Sequence, residues 1–325
     1  MTENIPNRSG DPFTTDDESQ ILNTIDRWLE KDVKDKVLAL DHADEYPTQM
    51  VEQMKSLGLF GATISQRYGG LGMPSASYAK VVTAVSEVWM SLTGIFNSHL
   101  IMAAAVERFG TEEQRQRFLP KFATGEIRGG LALTEPSCGT DLQAIRTKAH
   151  KDGDHYVING AKTWISNGIQ GDCVALLVKT DTEIQPRHKG MSLFLAEKGP
   201  GFSVGPKLKK LGYKGIDSAE LFFDDYVIAA NNLIGGQEGH GFHHTVGGLE
   251  LGRINIAARG VGVANAALKA ATSYAQTRET MGKPIGQHQA IQTKLGDMAT
   301  RCHAARLLVQ DAAQAYDRGE RCDME

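Results

Sequence analysis

Cysteine is scarce and scattered. Cys138, Cys173, Cys302 and Cys322 stand far apart with no C-x-x-C pair. That argues against a disulfide framework or a zinc ribbon and fits a reducing compartment, the cytoplasm. Proline is sparse beside glycine, 10 against 35 with no repeat, so collagen and proline-rich linkers are excluded and many tight turns are expected. No apolar run approaches the roughly 20 residues of a membrane helix. An excess of basic charge is missing too: 35 Lys and Arg against 39 Asp and Glu leave a net −4, against any protein that coats nucleic acid. Residues 1–14 lack the basic start and apolar stretch of a signal peptide and read as a frayed start.

The balance that remains, 41% hydrophobic and 23% charged over 325 residues, is that of a globular chain of two or three domains. Thr15-x-x-Glu18 has the form of a capping box. Ile21, Leu22, Ile25, Trp28, Leu29 and Val33 then follow at helical spacing. Helical patterns also run through Pro47–Leu57, Ala76–Met90, Ile101–Arg108 and Glu112–Ala123, so residues 15–128 read as all-helical. From Gly129 the period turns towards two. Thr147–His150 and His155–Ile158 flank Asp152-Gly153, and Asn159-Gly160 precedes Ala161–Ser166. Such dipeptides between short alternating runs signal hairpins. Cys173–Val178, Met191–Ala196, Phe202–Val204 and Ala219–Phe223 complete a small antiparallel β-barrel or sandwich over 129–238. Helices return over 239–325. Ile291, Leu295, Met298, Cys302, Ala305, Val309, Ala312 and Tyr316 trace one stripe along a helix about 40 Å long, preceded by an equally long Ala- and Gly-rich helix, about Leu249–Thr277. Two such helices form only part of a bundle, which normally has four. Either another chain completes it or the protein continues past Glu325.

Some residues invite chemistry. Gly260-x-Gly262 lacks the third glycine of a dinucleotide loop, because Asn265 stands there; close helix packing through small residues explains it better. His240, His243 and His244 have no further ligand to complete a metal set and read as a solvated or ligand-contacting loop. Glu135 has two readings, an acid–base group or a strand-ending acid that accepts backbone N–H bonds. The stretch Thr134-Glu135-Pro136-Ser137-Cys138-Gly139-Thr140-Asp141 ends a strand in small residues whose N–H groups can cradle a pyrophosphate. Trp164-Ile165-Ser166-Asn167-Gly168 ends another strand with an indole, a hydroxyl and a turn. Together they form the two ends of a site for a flat, phosphate-bearing cofactor.

From about Asp41 onward the chain resembles the acyl-CoA dehydrogenase family. The anchors are Leu57-Gly58-Leu59, Tyr68-Gly69-Gly70-Leu71-Gly72, the Leu133–Asp141 stretch, and Gly160-x-Lys162-x-Trp164-Ile165-Ser166-Asn167-Gly168. Phe223-x-Asp225, Leu233-Ile234-Gly235, Leu249-x-x-x-Arg253, Arg278-x-x-x-Gly282-x-x-Ile285 and His288-Gln289-Ala290 follow in order. The resemblance implies a helical domain, a β-domain and a helical bundle, incomplete here. It implies FAD as cofactor, held by Leu131, Leu133, Thr134, Gly139, Thr140, Trp164, Ile165 and Ser166, with the Ser166 hydroxyl donating towards the flavin ring. Arg278, Met281, His288 and Gln289 would reach FAD of a neighbouring subunit in a homodimer or homotetramer. Thr140, Glu250 and Arg253 would contact the acyl-CoA substrate. An electron-transfer flavoprotein would accept the electrons, in fatty acid β-oxidation.

The implied reaction removes the α-proton of a CoA thioester to a Glu base while the β-hydrogen leaves as hydride, giving a trans-2-enoyl-CoA. In most members that Glu lies near the C-terminus, and the resemblance places it beyond Glu325. A minority place it one residue before the Arg of Leu-x-x-x-Arg. Here that residue is Gly252. Glu250, two residues earlier, lies about 200° around a helix from it. A FAD- or acyl-CoA-binding remnant without turnover, and an acyl-CoA oxidase or flavin monooxygenase, are the alternatives. No metal and no nucleic acid are expected.

Overall fold

The computed structural model describes residues 13–320 and 322. The expected frayed start lies outside them save for Phe13 and Thr14. In chain order the elements are α1 (Thr15–Trp28), α2 (Val37–Ala43), α3 (Thr48–Ser56), α4 (Ser75–Phe109) and α5 (Glu112–Thr124). Strands β1 (Gly129–Ala132), β2 (Lys148–Asp152), β3 (His155–Ser166), β4 (Cys173–Lys179), β5 (Met191–Glu197), β6 (Phe202–Val204) and β7 (Ser218–Ala229) follow. Then come α6 (Gly241–Thr277), the short strands β8 (Glu279–Thr280) and β9 (Lys283–Pro284), and α7 (Gln289–Asp317). The chain divides into two compact units, one with Leu38–Met73 and Gly94–Gly252, the other with Phe13–Val37, Pro74–Thr93 and the chain from Arg253.

The first unit is built on a seven-stranded sheet in the order β1-β4-β2-β3-β7-β6, with β5 also on β4. It is not purely antiparallel as expected: β1 and β2 both run parallel to β4. Asp152-Gly153 does turn an antiparallel β2–β3 hairpin, with Gly153 at φ 62°. β1 has no hairpin partner and reaches β4 only after the chain has passed through β2 and β3, which allows the parallel sense. Asn159-Gly160 lies inside one long β3, not at a turn, opposite a bulge where β7 spends an extra residue between Phe223 and Tyr226. Gly160 adopts φ 149°, and a Cβ there would lie 2.5 Å from Thr147 Oγ1, so only glycine lets β2 pass this closely. Cys173–Val178 and Met191–Ala196 are buried throughout. Strands covered on both faces read as continuous apolar runs. Ile158, Ile165, Leu176, Phe194, Leu221 and Phe223 form the core between them.

Helix α5 starts with a reciprocal capping box between Thr111 and Gln114 and stops at Gly125 with φ 72°. It buries Phe118 and Phe122. His99 sits edge-on to Phe60 and Phe122, with ring centroids 5.4 Å from each.

In the second unit α1 is capped by Thr14 and Asp17, one residue before the expected Thr15 and Glu18. Glu18 is otherwise engaged, accepting from Ser77 Oγ at 2.5 Å and Lys80 Nζ at 2.6 Å. Asp317 takes the N–H groups of Ser75 and Ala76 at 2.7 and 2.9 Å, satisfying donors that start α4. The two helices expected over 76–108 are one span broken at Trp89, φ −153° and ψ 103°. Thr93 Oγ1 donates to Met90 O at 2.6 Å just beyond the break. By length and composition α4 could cross a membrane, contrary to the expectation of no such run. Its apolar window is 72% buried inside the protein, as in a core helix. Of the Gly260-x-Gly262 pair, both within helix α6, only Gly262 packs closely: a Cβ there would come 2.4 Å from Thr83 O, whereas one at Gly260 would meet nothing within 4 Å.

Candidate functional site

The first unit carries a groove of about 520 Å³ whose lining includes Thr134, Glu135, Ser137, Gly139, Thr163 and Trp164. One wall is the loop after β1. Glu135 and Cys138 exchange backbone bonds, Glu135 N–H to Cys138 O at 2.9 Å and the reverse at 3.1 Å, which folds Pro136-Ser137 into a tight tip. The N–H groups of Ser137, Gly139 and Thr140 meet no acceptor among the described residues. Such N–H groups suit an anion.

The other wall is the end of β3. Lys162 pairs with Leu221 and Ile165 with Ala219, so β3 spends an extra residue there. This bulge re-aims Trp164, which has φ 61° and stands 56% exposed. Asn167, also left-handed at φ 59°, is buried. Its Nδ2 donates to Ile95 O at 2.8 Å and Gly129 O at 2.9 Å, tying the strand end to α4 and β1. Two left-handed non-glycine residues within four positions store strain, as functional sites often do.

Thr163 N–H donates to Thr134 O at 2.9 Å, joining the two walls. Beneath them Lys162 Nζ donates to Glu135 Oε1 at 2.9 Å and to Leu133 O at 3.0 Å. Burial pulls Lys162 down from the ordinary lysine range, opposed by the carboxylate beside it. Burial also pushes Glu135 upward, but the Lys162 charge and the bonds from Thr147 and Arg146 outweigh it and hold the carboxyl below its usual value. Glu135 is thus the strand-ending acid that accepts backbone N–H bonds, from Arg146 at 2.6 Å and Thr147 at 2.9 Å.

Of the expected cofactor residues, Thr134, Gly139 and Trp164 line this groove. Thr140 is exposed beside it, and Leu131 and Ser166 are half-buried. Leu133 is buried, and Ile165 points into the sheet core. Glu250 is half-buried on α6 and Arg253 exposed. Arg278, Met281 and Gln289 are exposed and His288 half-buried. The histidines depart from the loop expectation: His243 and His244 lie in the first turn of α6, and His244 is buried with its ring stacked on Phe109 at 4.5 Å. No cluster of three metal-ligating side chains occurs among the described residues. Lys162 and Thr163 were missed as site residues; their signal was the Gly-x-Lys-x-Trp spacing.

Three family models match in succession: the acyl-CoA dehydrogenase N-terminal domain over 15–126, its middle domain over 130–226 and its C-terminal domain over 239–325. The chain belongs to the acyl-CoA dehydrogenase family. An acyl-CoA dehydrogenase of Bacillus subtilis is 37% identical over 313 residues, 96% of this chain and 82% of the relative. Butyryl-CoA dehydrogenase of Megasphaera elsdenii superimposes with a TM-score of 0.90 at 33% identity, over 96% of this chain and 82% of that one. A structure reported with the electron transferring flavoprotein of Acidaminococcus fermentans gives 0.91 at 35% identity, with the same coverage. The mixed sheet between helical segments is therefore the architecture of an acyl-CoA dehydrogenase.

Proposed function

We propose that the protein dehydrogenates the Cα–Cβ bond of an acyl-CoA thioester to a trans-2-enoyl-CoA with FAD as its cofactor. The observation that carries this reading is the everted Trp164 facing the amide-rimmed Thr134–Thr140 loop across the groove. The residues present fit FAD: an exposed indole offers a flat apolar wall, and the loop N–H groups that meet no acceptor among the described residues offer anion donors. FAD supplies a two-electron acceptor for the hydride that leaves Cβ.

The chain's own residues bind and orient. Leu131, Leu133, Thr134, Gly139, Thr140, Trp164, Ile165 and Ser166 are assigned to FAD, Ile165 through its backbone because its side chain belongs to the core. A fixed Ser166 hydroxyl stabilises growing negative charge without reorganising. Thr140, Glu250 and Arg253 are assigned to the acyl-CoA. Arg278, Met281, His288 and Gln289 are assigned to FAD of a neighbouring subunit in a homodimer or homotetramer. Electrons pass to an electron-transfer flavoprotein, and the setting is cytoplasmic fatty acid oxidation.

The α-proton goes to a carboxylate other than position 252. Gly252 is buried, and a Cβ there would lie 3.0 Å from Ile101 Cδ1. With no carboxylate at position 252, a second reading is that the protein binds FAD and acyl-CoA without turning over. The test is to purify the protein, record flavin absorbance, and add acyl-CoA without air. Bleaching supports the dehydrogenase; bound flavin that never bleaches supports the second reading. A colourless protein that takes up no FAD refutes both.

A further inference from the structure

The groove rests on a buried charge pair that takes no part in the proposed reaction. Lys162 is 0% exposed and Glu135 5%. An ion pair this far from water is seldom worth more to stability than apolar side chains of the same volume. The bonds of this pair end at particular places. Lys162 holds Leu133 O and Glu135, the two neighbours of Thr134, whose own carbonyl takes Thr163 N–H. Glu135 in turn holds the N–H groups of Arg146 and Thr147, at the start of β2. Lys162 and Thr163 lead directly into the bulge that everts Trp164. The loop and the indole are thus tied together on both sides of Thr134, from beneath.

We propose that Lys162 and Glu135 are positioning residues: their pair fixes the Thr134–Gly139 loop and Trp164 at a set separation, so that both walls of the groove are formed before any ligand arrives. The part of this inference that concerns FAD rests on the proposed function; the part that concerns Trp164 does not.

The double variant Lys162→Met with Glu135→Gln separates positioning from bulk stability. It removes both charges at similar volume. The side-chain amide introduced at position 135 has one oxygen, so it keeps the bond from either Arg146 N–H or Thr147 N–H, and the tether to Leu133 O is lost. Trp164 reports on the groove in the protein without cofactor, because Trp28 and Trp89 are 6% and 5% exposed against its 56%. Two results are expected at a temperature where both proteins are fully folded. The acrylamide quenching constant of tryptophan emission shifts. The FAD dissociation constant rises by about tenfold, the factor one net hydrogen bond can command. Quenching and FAD affinity equal to the parent's would overturn the proposal. If the parent itself takes up no FAD, the proposed function fails and the quenching comparison alone decides. If the double variant does not fold, Lys162→Met is measured instead, which removes the tether to Leu133 O and leaves Glu135 its bonds from Arg146 and Thr147. The same readouts must then move in the same direction, and unchanged values would refute the pair's role.

Discussion

His99 makes the helical core around Phe60 and Phe122 sensitive to acid. Its Nε2 lies 3.0 Å from Phe122 O, and its ring is enclosed by Phe60 and Phe122. Full burial drives the imidazole from 6.5 down to about 4, only partly opposed by its backbone hydrogen bonds. The sign follows from which state takes the proton. Between pH 6.5 and 4 the unfolded chain protonates His99 and the folded chain does not. The stability is therefore complete above about pH 6.5 and is lost as pH falls towards 4. The loss amounts to about 2 kcal/mol at pH 5 and about 3 kcal/mol at pH 4 for this residue. His244, also lowered to about 4 with burial as the main cause, acts in the same direction. The assay is urea unfolding at pH 8, 6 and 5 for the parent and His99→Gln. The variant starts from lower stability but loses about 2 kcal/mol less between pH 8 and 5. Equal losses in the two proteins, or a His99 imidazole titrating near its unperturbed value in the folded protein, would refute the reasoning.

Three further outcomes are expected. Ser166→Ala slows reduction of the bound flavin by acyl-CoA about 10²–10³-fold, the usual cost of one preorganised donor, with less effect on FAD retention; stopped-flow bleaching measures it. Gly262→Ala lowers the urea midpoint by the equivalent of about 1–3 kcal/mol despite alanine's better helix propensity, because its Cβ would meet the Thr83 carbonyl at 2.4 Å. If Arg278 and Gln289 reach FAD across a subunit boundary, dilution releases FAD and subunits together. Sedimentation with flavin detection would show instead a monomer that keeps its FAD if the shared site is wrong.

The order of helices, strands and helices was legible because each periodicity spans many residues. Local backbone events were not. Alternation along β3 puts Lys162 and Trp164 on one face, yet one is buried and the other exposed, because a bulge between them reverses the pattern. A bulge depends on the partner strand, here β7, and so leaves no local mark. The role of Lys162 leaves no local signal, since lysine is rarely buried without a partner and its partner lies 27 residues earlier. Asn159-Gly160 has the composition of a turn, but the Cβ-free approach of Thr147 was the reason for its glycine. The histidines before and in α6 looked like a loop because the glycines around them hide a helix start. Glu135, left between two readings by sequence, was decided by the two backbone N–H groups it accepts.

The parallel pairing of β1 with β4 also bears on how the protein assembles. β1 cannot add to the sheet until β4 is in place, and the chain between them carries the β2–β3 hairpin. Asn167 then closes the groove with bonds to Gly129 O and Ile95 O, 38 and 72 residues away in sequence. Contacts of such separation are costly in chain entropy until the rest of the sheet has formed. The groove therefore belongs to the last part of the unit to fold. In a nascent or refolding chain, FAD would act as a late clasp on a nearly finished sheet rather than as a nucleus for it.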